Sequence, residues 1–333
     1  MMPEQNPSLR ISVVMCTYRG TAHLAEQLDS ILRQTRQPAE LIVCDDNSGD
    51  GTVAILEQFR EKAGFPVHVI VNAENLGSTP NFDQALERAN GDLIALCDQD
   101  DFWFPEKLSR MGAILELDPT LGGVFSDATL IDDRGAPARG SEHNQSAQTL
   151  WQLHGFDRSK QEQFKRGGAI DLLLQRDIVT GATLMVRAGL RSCWHPIPAS
   201  WIHDGWITWM LVLQSRIVPV QETLIGYRLH AQQQLGIGGS SRAERLKQIR
   251  DTERKRYARV SNQFEDLRLR VQELSPSNIK LLKALKEKVL FLRQRSLMPR
   301  NLVLRVCWIL AHLRHYQRYA RGWRSLRKDL FLS

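Results

Sequence analysis

Polar side chains stand directly after four short apolar runs, and their types suit a site for a charged, oxygen-rich ligand. Thr17-Tyr18-Arg19 follows the first run, Asp45-Asp46-Asn47 the second, Asn72 the third, and Asp98-Gln99-Asp100-Asp101 the fourth. Carboxylates crowded in this way repel one another and hold their protons unless a cation or hydrogen bonds compensate. A divalent metal is the simplest compensation, because Mg²⁺ and Mn²⁺ take hard oxygen ligands and often complete their shell with phosphate oxygens. The spacing Asp98-x-Asp100 can set one carboxylate near the cation and the other near the ligand. An isolated Asp-x-Asp is more often an acidic surface turn. Its place at the end of an apolar run, with two other polar run-ends nearby, favours the metal.

The runs themselves must position these groups. Ile11-Ser-Val-Val-Met-Cys16, Leu41-Ile-Val-Cys44, residues 67–71 and Leu93-Ile-Ala-Leu-Cys97 are nearly continuous apolar stretches, as in strands covered on both faces. Between them lie helical patterns: Leu24, Leu28, Ile31 and Leu32, then Val53, Leu56 and Phe59. A third helix is expected near Pro80, capped by Ser78 or Thr79, and ending at Asn90-Gly91. Strands alternating with helices predict an α/β fold with a mostly parallel, Rossmann-like sheet. In such a sheet ligands bind outside the carboxyl ends of the strands.

Past Gly123-Val-Phe-Ser126 the pattern loosens. Residues 132–166 read as loop and short helix, Ala182-Thr-Leu-Met-Val186 and residues 217–220 as short strands, and the glycine cluster at 236–241 as a boundary loop. A C-terminal helical extension follows, with breaks near Ser275-Pro276 and Met298-Pro299.

Bulk properties narrow the function. No GxxxxGK[ST] loop is present, and no GxGxxG follows the first strand, so a P-loop nucleotidase and a dinucleotide oxidoreductase are disfavoured. Five cysteines without CxxC spacing do not suggest zinc or a disulfide framework. Residues 1–10 lack the apolar core of a secretory signal. Residues 302–313 are too short and too polar for a span of about 20 apolar residues. A cytoplasmic protein is expected. Its charge is uneven: residues 242–333 hold 24 Lys and Arg against 8 Asp and Glu, a net of +16, and residues 1–241 carry −9 of the chain's +7.

Several strings resemble one family: the inverting glycosyltransferases of family 2, with the GT-A fold. They are Ser12-Val-Val-Met-Cys-Thr-Tyr18, Val43-Cys-Asp-Asp-Asn-Ser-Gly-Asp-Gly-Thr52, Asn75-Leu-Gly77 with Asn81, and Cys97-Asp-Gln-Asp-Asp-Phe-Trp103 running into Pro105-Glu-Lys-Leu108. Trp201-Ile-His-Asp-Gly-Trp206 and Tyr227-Arg-Leu-His230 complete the set, in the family's order. The resemblance implies a GT-A domain over residues 8–240, with a nucleotide-binding half at about 8–128 and an acceptor half at about 129–240, followed by a basic helical region over 241–333.

It also implies roles. Thr17 and Asp46 correspond to base and ribose contacts, and Asp98 and Asp100 to the DxD pair, with Asp100 the better candidate for direct metal ligation. Asp204 corresponds to the catalytic base that takes the proton of the acceptor hydroxyl. His230 matches a C-terminal histidine that reaches the metal or the diphosphate. Tyr18, Arg19, Asn81, Gln99, Trp103, His203 and Trp206 are further candidates for holding the nucleotide sugar. Other parts are open to them: His203-Asp204 could begin a helix as its cap, His230 could be a satisfied residue at a strand end, and Trp103 and Trp206 could be packing residues.

His203 stands where many members have Glu, and Arg19 where they have Asn. His-Asp and Asp-Gln-Asp-Asp-x-Trp occur in the branch resembling rhamnosyltransferases. That resemblance implies dTDP-L-rhamnose as donor and a lipopolysaccharide, other cell-surface glycan or lipid-linked saccharide as acceptor; a UDP-hexose transferase or a non-catalytic nucleotide-sugar binder is the alternative.

In the tail, Leu302, Val306, Ile309, Leu313, Tyr316, Ala320 and Trp323 follow helical spacing, with Arg305, Arg314, Arg318, Arg321 and Arg324 beside them. A basic amphipathic helix of this kind can lie peripherally on the cytoplasmic face of the inner membrane, or pack on the catalytic domain with its charged face solvated. No nucleic-acid motif accompanies the charge, and no nucleic-acid partner is expected.

Overall fold

The computed structural model describes residues 8–138, 147–229 and 242–331, with side chains from 253 onward in the last stretch. The chain divides into two compact units: Met1–Ala169 with Ile178–Gly236, and Ile170–Asp177 with Ile237–Ser333.

The first unit is built on eight strands among the described residues: β1 (Ile11–Thr17), β2 (Glu40–Asp45), β3 (Val67–Val71), β4 (Leu93–Cys97), β5 (Phe102–Trp103), β6 (Leu121–Ile131), β7 (Leu184–Arg187) and β8 (Arg216–Arg228). Their order across the sheet is β3-β2-β1-β4-β7-β6-β8-β5. The first four pair in parallel, as their unbroken apolar runs require: Val13, Met15, Leu41, Val43, Leu93 and Ala95 are all fully buried. Each such Val, Leu or Met side chain contributes about 1.5–3 kcal/mol relative to exposure. Antiparallel β7 then joins β4 to β6, and β6 runs parallel to β8.

Helices α1 (Leu24–Leu32), α2 (Thr52–Lys62), α3 (Ser78–Glu87) and α4 (Lys107–Leu117) follow the early strands. Short helices α5 (Leu150–His154), α6 (Arg158–Gln163), α7 (Ala169–Leu173) and α8 (Arg191–Trp194) precede α9 (His203–Gln214). The expected cap of α3 is corrected: Gly77, at φ 85°, holds the N-cap position and no side chain caps the helix. Thr79 instead donates its hydroxyl to the Trp201 carbonyl, 2.7 Å away, tying α3 to the approach of α9.

β8 is thirteen residues long, not the four expected at 217–220. Pro219 and the polar stretch Gln221-Glu222-Thr223 mask it in the sequence, and register shifts opposite Ser126 and Asp127 absorb them. Its far end pairs with the two-residue β5, at Gly226 with Phe102 and Ile225 with Trp103. That contact draws the Asp98–Asp101 loop onto β8.

The second unit holds α10 (Arg242–Leu274), α11 (Ile279–Ser296), α12 (Leu302–Ala311), α13 (Leu313–Tyr319) and α14 (Trp323–Phe331). Among the described residues no helix is long and apolar enough to cross a membrane. The continuous helical face expected over 302–323 does not exist: the chain turns at His312 and again before Gly322, at φ 52°. The turns fold α13 and α14 around a buried carboxylate. Asp329 accepts bonds from the hydroxyls of Tyr257 and Tyr316 and from Arg295 Nε, so Tyr316 faces inward.

Candidate functional site

Three strand ends stand side by side. Thr17 is paired with Asp45 and Met15 with Cys97, and the Asp46 amide donates to the Thr17 carbonyl at 2.8 Å. The Cys16 thiol between them is pushed up by burial first, then by Cys44, Asp98 and Asp46, so the ends of β2 and β4 act on one point.

Thr17 is buried and donates its hydroxyl to Asp45 Oδ2 at 2.7 Å. Asp45 also takes the amide of Ser48 at 2.9 Å, which fixes the turn after β2. Asp46 Oδ1 accepts from Asn72 Nδ2 (2.9 Å) and the Leu76 amide (2.7 Å), and its Oδ2 from the Gly77 amide (2.8 Å). It thereby shapes the Asn75-Leu76-Gly77 turn. Asn81, taken as a nucleotide contact, is corrected to a supporting residue. It is buried, gives Nδ2 to the Cys44 carbonyl, and accepts at Oδ1 from Asn72 and Gln84.

Gln99 braces the exit of β1: its Oε1 accepts the Tyr18 amide at 2.9 Å and its Nε2 donates to the Tyr18 carbonyl at 3.0 Å. Tyr18 remains exposed, with the Arg19 guanidinium 5.2 Å from its ring centroid, and Arg19 is held at φ 50° with its amide on Ser48 Oγ. These two side chains line the open part of the strand ends.

Beside them is a cluster of carboxylates. Asp98 is raised to about 7, by loss of solvation first and then by Asp100 and Asp204, while Lys107 pulls it down. Asp101 is also raised, chiefly by burial and then by Asp100 and Asp98. Its Oδ1 accepts the Arg228 amide at 3.0 Å, whereas its Oδ2 has no partner among the described residues. The Tyr227 hydroxyl is pushed up by burial and then by Asp98, Asp101, Asp100 and Asp204. Asp204 therefore shares one electrostatic neighbourhood with the Asp98-x-Asp100 pair, despite its distance in the chain.

Helix α9 positions Asp204. The helix begins at His203 with Ile202 at the N-cap position and no side-chain capping bond, so Asp204 is not its cap. Asp204 Oδ2 instead accepts the Gly181 amide at 2.9 Å, and Oδ1 the Gly205 amide at 2.6 Å. Burial still raises its pKa against these bonds. His203 stacks on Phe82, ring centroids 3.8 Å apart, and burial lowers it to about 3, so it is neutral. Neither of its ring nitrogens has a partner among the described residues.

Gly181 stands where a side chain cannot: a Cβ there would lie 2.9 Å from His203 Nε2 and 3.3 Å from Asp204 Cβ. If Asp204 serves the transfer that the resemblance implies, Gly181→Ala should displace α9's first turn and lower kcat about 10–100-fold, with donor KM little changed. Steady-state kinetics beside a melting curve check it; wild-type kcat in a folded variant would refute the positioning role.

Both tryptophans are corrected as sugar platforms. Trp103 is fully buried, and the Lys107 ammonium lies 3.8 Å from its ring centroid. Trp206 is buried against Trp201 and donates its indole N–H to the Trp194 carbonyl. Neither ring offers a face to a sugar. His230 lies outside the described residues, as does the glycine cluster at 236–241.

The sequence reading gave no role of their own to Lys107, Arg228 and Gly181, and named Asp45 only among the polar residues after the second run. Lys107 is fully buried, donates to the Ala182 carbonyl, and is lowered by burial to about 8 while Cys97, Asp101 and Asp98 raise it. Arg228, also fully buried, donates from Nε to the Asp100 carbonyl at 2.8 Å and from Nη2 to Glu26 at 2.6 Å. It fixes the backbone of the acidic loop. Lysine and arginine are almost never fully buried unless paired, a signal that only burial reveals.

A divalent cation suits this donor set. Asp98 and Asp100 supply hard oxygens, the shifted Asp98 and the unpartnered Asp101 oxygen mark excess negative potential, and the described residues contain no group of three His, Cys, Asp or Glu that would hold a metal alone. Ligands from a bound phosphate would complete the shell.

The same carboxylates set a pH dependence. An aspartate titrates near 3.9 when unfolded, so from there to about 7 folded Asp98 binds more protons than the unfolded chain. Its contribution to stability therefore falls as pH rises through that window. With chelator present, Asp98→Asn should gain Tm over wild type progressively between pH 5 and 8. A gain that is flat or shrinks with pH would refute the shift.

Comparison with known proteins gives a consistent picture. Residues 12–167 match the Glycosyl transferase family 2 domain. It is similar to the putative glycosyltransferase EpsE of Bacillus subtilis, 38% identical over 33% of this chain and 40% of that protein. It is also similar to the putative teichuronic acid biosynthesis glycosyltransferase TuaG of the same organism, 32% identical over 38% of this chain and 50% of that one. The uncharacterized protein Rv1520 of Mycobacterium tuberculosis is 27% identical over 71% of this chain and 63% of its own length. The matches thus span less than two thirds of these relatives. Among solved structures, S. aureus TarS 1-349 in complex with UDP-GlcNAc shares the fold at a TM-score of 0.53 and 18% identity, covering 97% of this chain and 90% of that one. The mannosyltransferase PcManGT from Pyrobaculum calidifontis, in complex with GDP-Man and Mn²⁺, does so at 0.54 and 16%, covering 97% and 85%. The fold is that of GT-A glycosyltransferases: a mostly parallel sheet flanked by helices, with C-terminal helices added.

Proposed function

We propose, from the match of residues 12–167 to the family 2 glycosyltransferase domain, that the chain moves a sugar from a nucleoside-diphosphate donor to a hydroxyl acceptor with inversion at the anomeric carbon. The observation that carries this reading is Asp204, oriented by the Gly181 amide and electrostatically coupled to Asp98.

In the proposed reaction the acceptor hydroxyl attacks the anomeric carbon and gives its proton to Asp204. Burial strengthens that carboxylate as a base, and its two backbone amides keep it aimed. Asp98 and Asp100 would hold Mg²⁺ or Mn²⁺, which as a Lewis acid offsets the charge gathering on the leaving diphosphate. Arg228 keeps the Asp100 backbone in place, and Asp46 and Gln99 keep the nucleotide side of the strand ends in shape.

The donor we assign is dTDP-L-rhamnose, on the strength of the His203-Asp204 pair and the Asp98-Gln99-Asp100-Asp101 string. The acceptor we assign is a cell-surface glycan or a lipid-linked saccharide; the likeness to TuaG, named for teichuronic acid biosynthesis, supports a surface polymer. The net charge of +16 over residues 242–333 supports work at the cytoplasmic face of the inner membrane.

A panel of nucleotide sugars, scored by the rise in Tm with and without Mn²⁺ and then by product formed with acceptor present, tests the proposal. dTDP-L-rhamnose should give the largest Mn²⁺-dependent rise and be consumed only with acceptor. Turnover of a UDP-hexose alone would overturn the donor, and no response to any nucleotide sugar would overturn the whole reading.

A further inference from the structure

Helix α12 is built with its polarity reversed. Among its ten residues, Leu302-Val-Leu-Arg-Val-Cys-Trp-Ile-Leu-Ala311, the one charged side chain is Arg305, and it points inward beside Ile309. The Arg305 guanidinium donates to the carbonyls of Pro299 (3.1 Å), Arg300 (2.6 Å) and Leu330 (3.3 Å), the last of which ties α12 to α14. The outward side is apolar. Leu302, Val303, Leu304, Val306 and Leu310 are 57, 69, 60, 36 and 59% exposed. Helices on the surface of soluble domains show the opposite arrangement, and a contiguous exposed apolar face marks an interaction surface.

Charge says which surface covers it. Between residues 288 and 331 the only acidic residue is Asp329, and it is buried. Arg300 and Arg314 flank the two ends of α12 and are exposed, as are Arg324 and Arg327 on α14, where Trp323 also stands out at 69% exposure. An apolar strip with cationic ends and no exposed carboxylate in the segment matches an anionic lipid leaflet. At ten residues α12 is about 15 Å long, half a hydrocarbon core, so it must lie in the plane of the interface.

We propose that α12 docks the protein on an anionic bilayer, with Leu302, Val303, Val306 and Leu310 entering the headgroup layer, Arg300 and Arg314 on lipid phosphates, and Trp323 at the interface. The proposal deepens the membrane-surface reading above and names the element that makes the contact. It does not depend on the transfer chemistry.

The test is co-sedimentation of the full chain with vesicles of phosphatidylcholine alone or mixed with phosphatidylglycerol. Wild type should bind the mixed vesicles and not the neutral ones. Val303→Asp with Leu310→Asp should lower the partition coefficient at least about tenfold with Tm unchanged, and Arg300→Gln with Arg314→Gln about tenfold or more at low salt. Wild type that ignores anionic vesicles, or an aspartate variant that binds as wild type does, overturns the proposal. So does an aspartate variant that turns a dimer into a monomer, since the face would then join two copies. Vesicle binding in the expected pattern without sugar transfer would sink the transfer reading alone.

Discussion

Asp204→Asn should leave the folded protein and its donor affinity nearly intact and lower kcat by about 10²–10⁴-fold, the usual contribution of a general base. The amide is close in shape, and its one oxygen can still accept from Gly181 or Gly205, though not from both as the carboxylate does. The loss should therefore appear in kcat, with only a small fall in Tm. The pH profile gives a second readout. Burial raises Asp204, so wild-type kcat should decline on the acid side as the carboxylate takes up its proton, and the variant's residual rate should lack that limb. Parallel measurements of donor-induced Tm and of kcat against pH decide the matter; a variant with wild-type kcat would remove Asp204 from the reaction.

Asp100→Ala, or chelation of divalent metal from the wild type, should lower turnover by about 10³-fold or more, the several kcal/mol that a Lewis-acidic ion supplies. Charge is the reason. Asp98, Asp100, Asp101 and Asp204 act on one another and on Tyr227, and the cation that lowers Asp98 is Lys107, itself buried and pushed down to about 8. One such lysine cannot offset several carboxylates and an incoming diphosphate. In the variant, Mn²⁺ should no longer raise Tm in the presence of donor, and the donor's dissociation constant should rise. Restoring activity with excess Mn²⁺ after chelation separates loss of the ion from loss of the fold. Undiminished transfer in excess chelator would refute metal dependence.

The legible part of the site is what local pattern encodes. The runs at 11–16, 41–44, 67–71 and 93–97 are strands, and the polar residues after them stand at neighbouring strand ends. Burial on both sheet faces demands continuous apolar residues, and a strand end is where the chain can first turn polar. The reading faltered where a side chain's partners lie far along the chain. Asn81 looks like a free polar group beside a ligand, yet it is buried and its amide closes on Cys44 and Asn72. Trp103 looks like a sugar platform, yet Lys107 already covers its ring. In the tail, periodicity placed Arg305 on the charged side of one continuous helix; the chain instead breaks at His312, and the carbonyls of Pro299, Arg300 and Leu330 draw Arg305 inward.

By itself the sequence determined the strand and helix alternation, the acidic ends of β2 and β4, the excess of positive charge after residue 241, and the resemblance that singled out Asp204. Each is a property of neighbours along the chain or of composition. Tertiary structure alone decided that Asp204 meets the Asp98 cluster, that Gly181 aims it, that Lys107 and Arg228 support the acidic loop from within, and that α12 turns its apolar side outward. Those outcomes depend on which distant groups share a small volume of low polarity. There an unmatched charge or an unmade hydrogen bond is costly, and the side chains that satisfy it are chosen by proximity in space, which no spacing along the chain records.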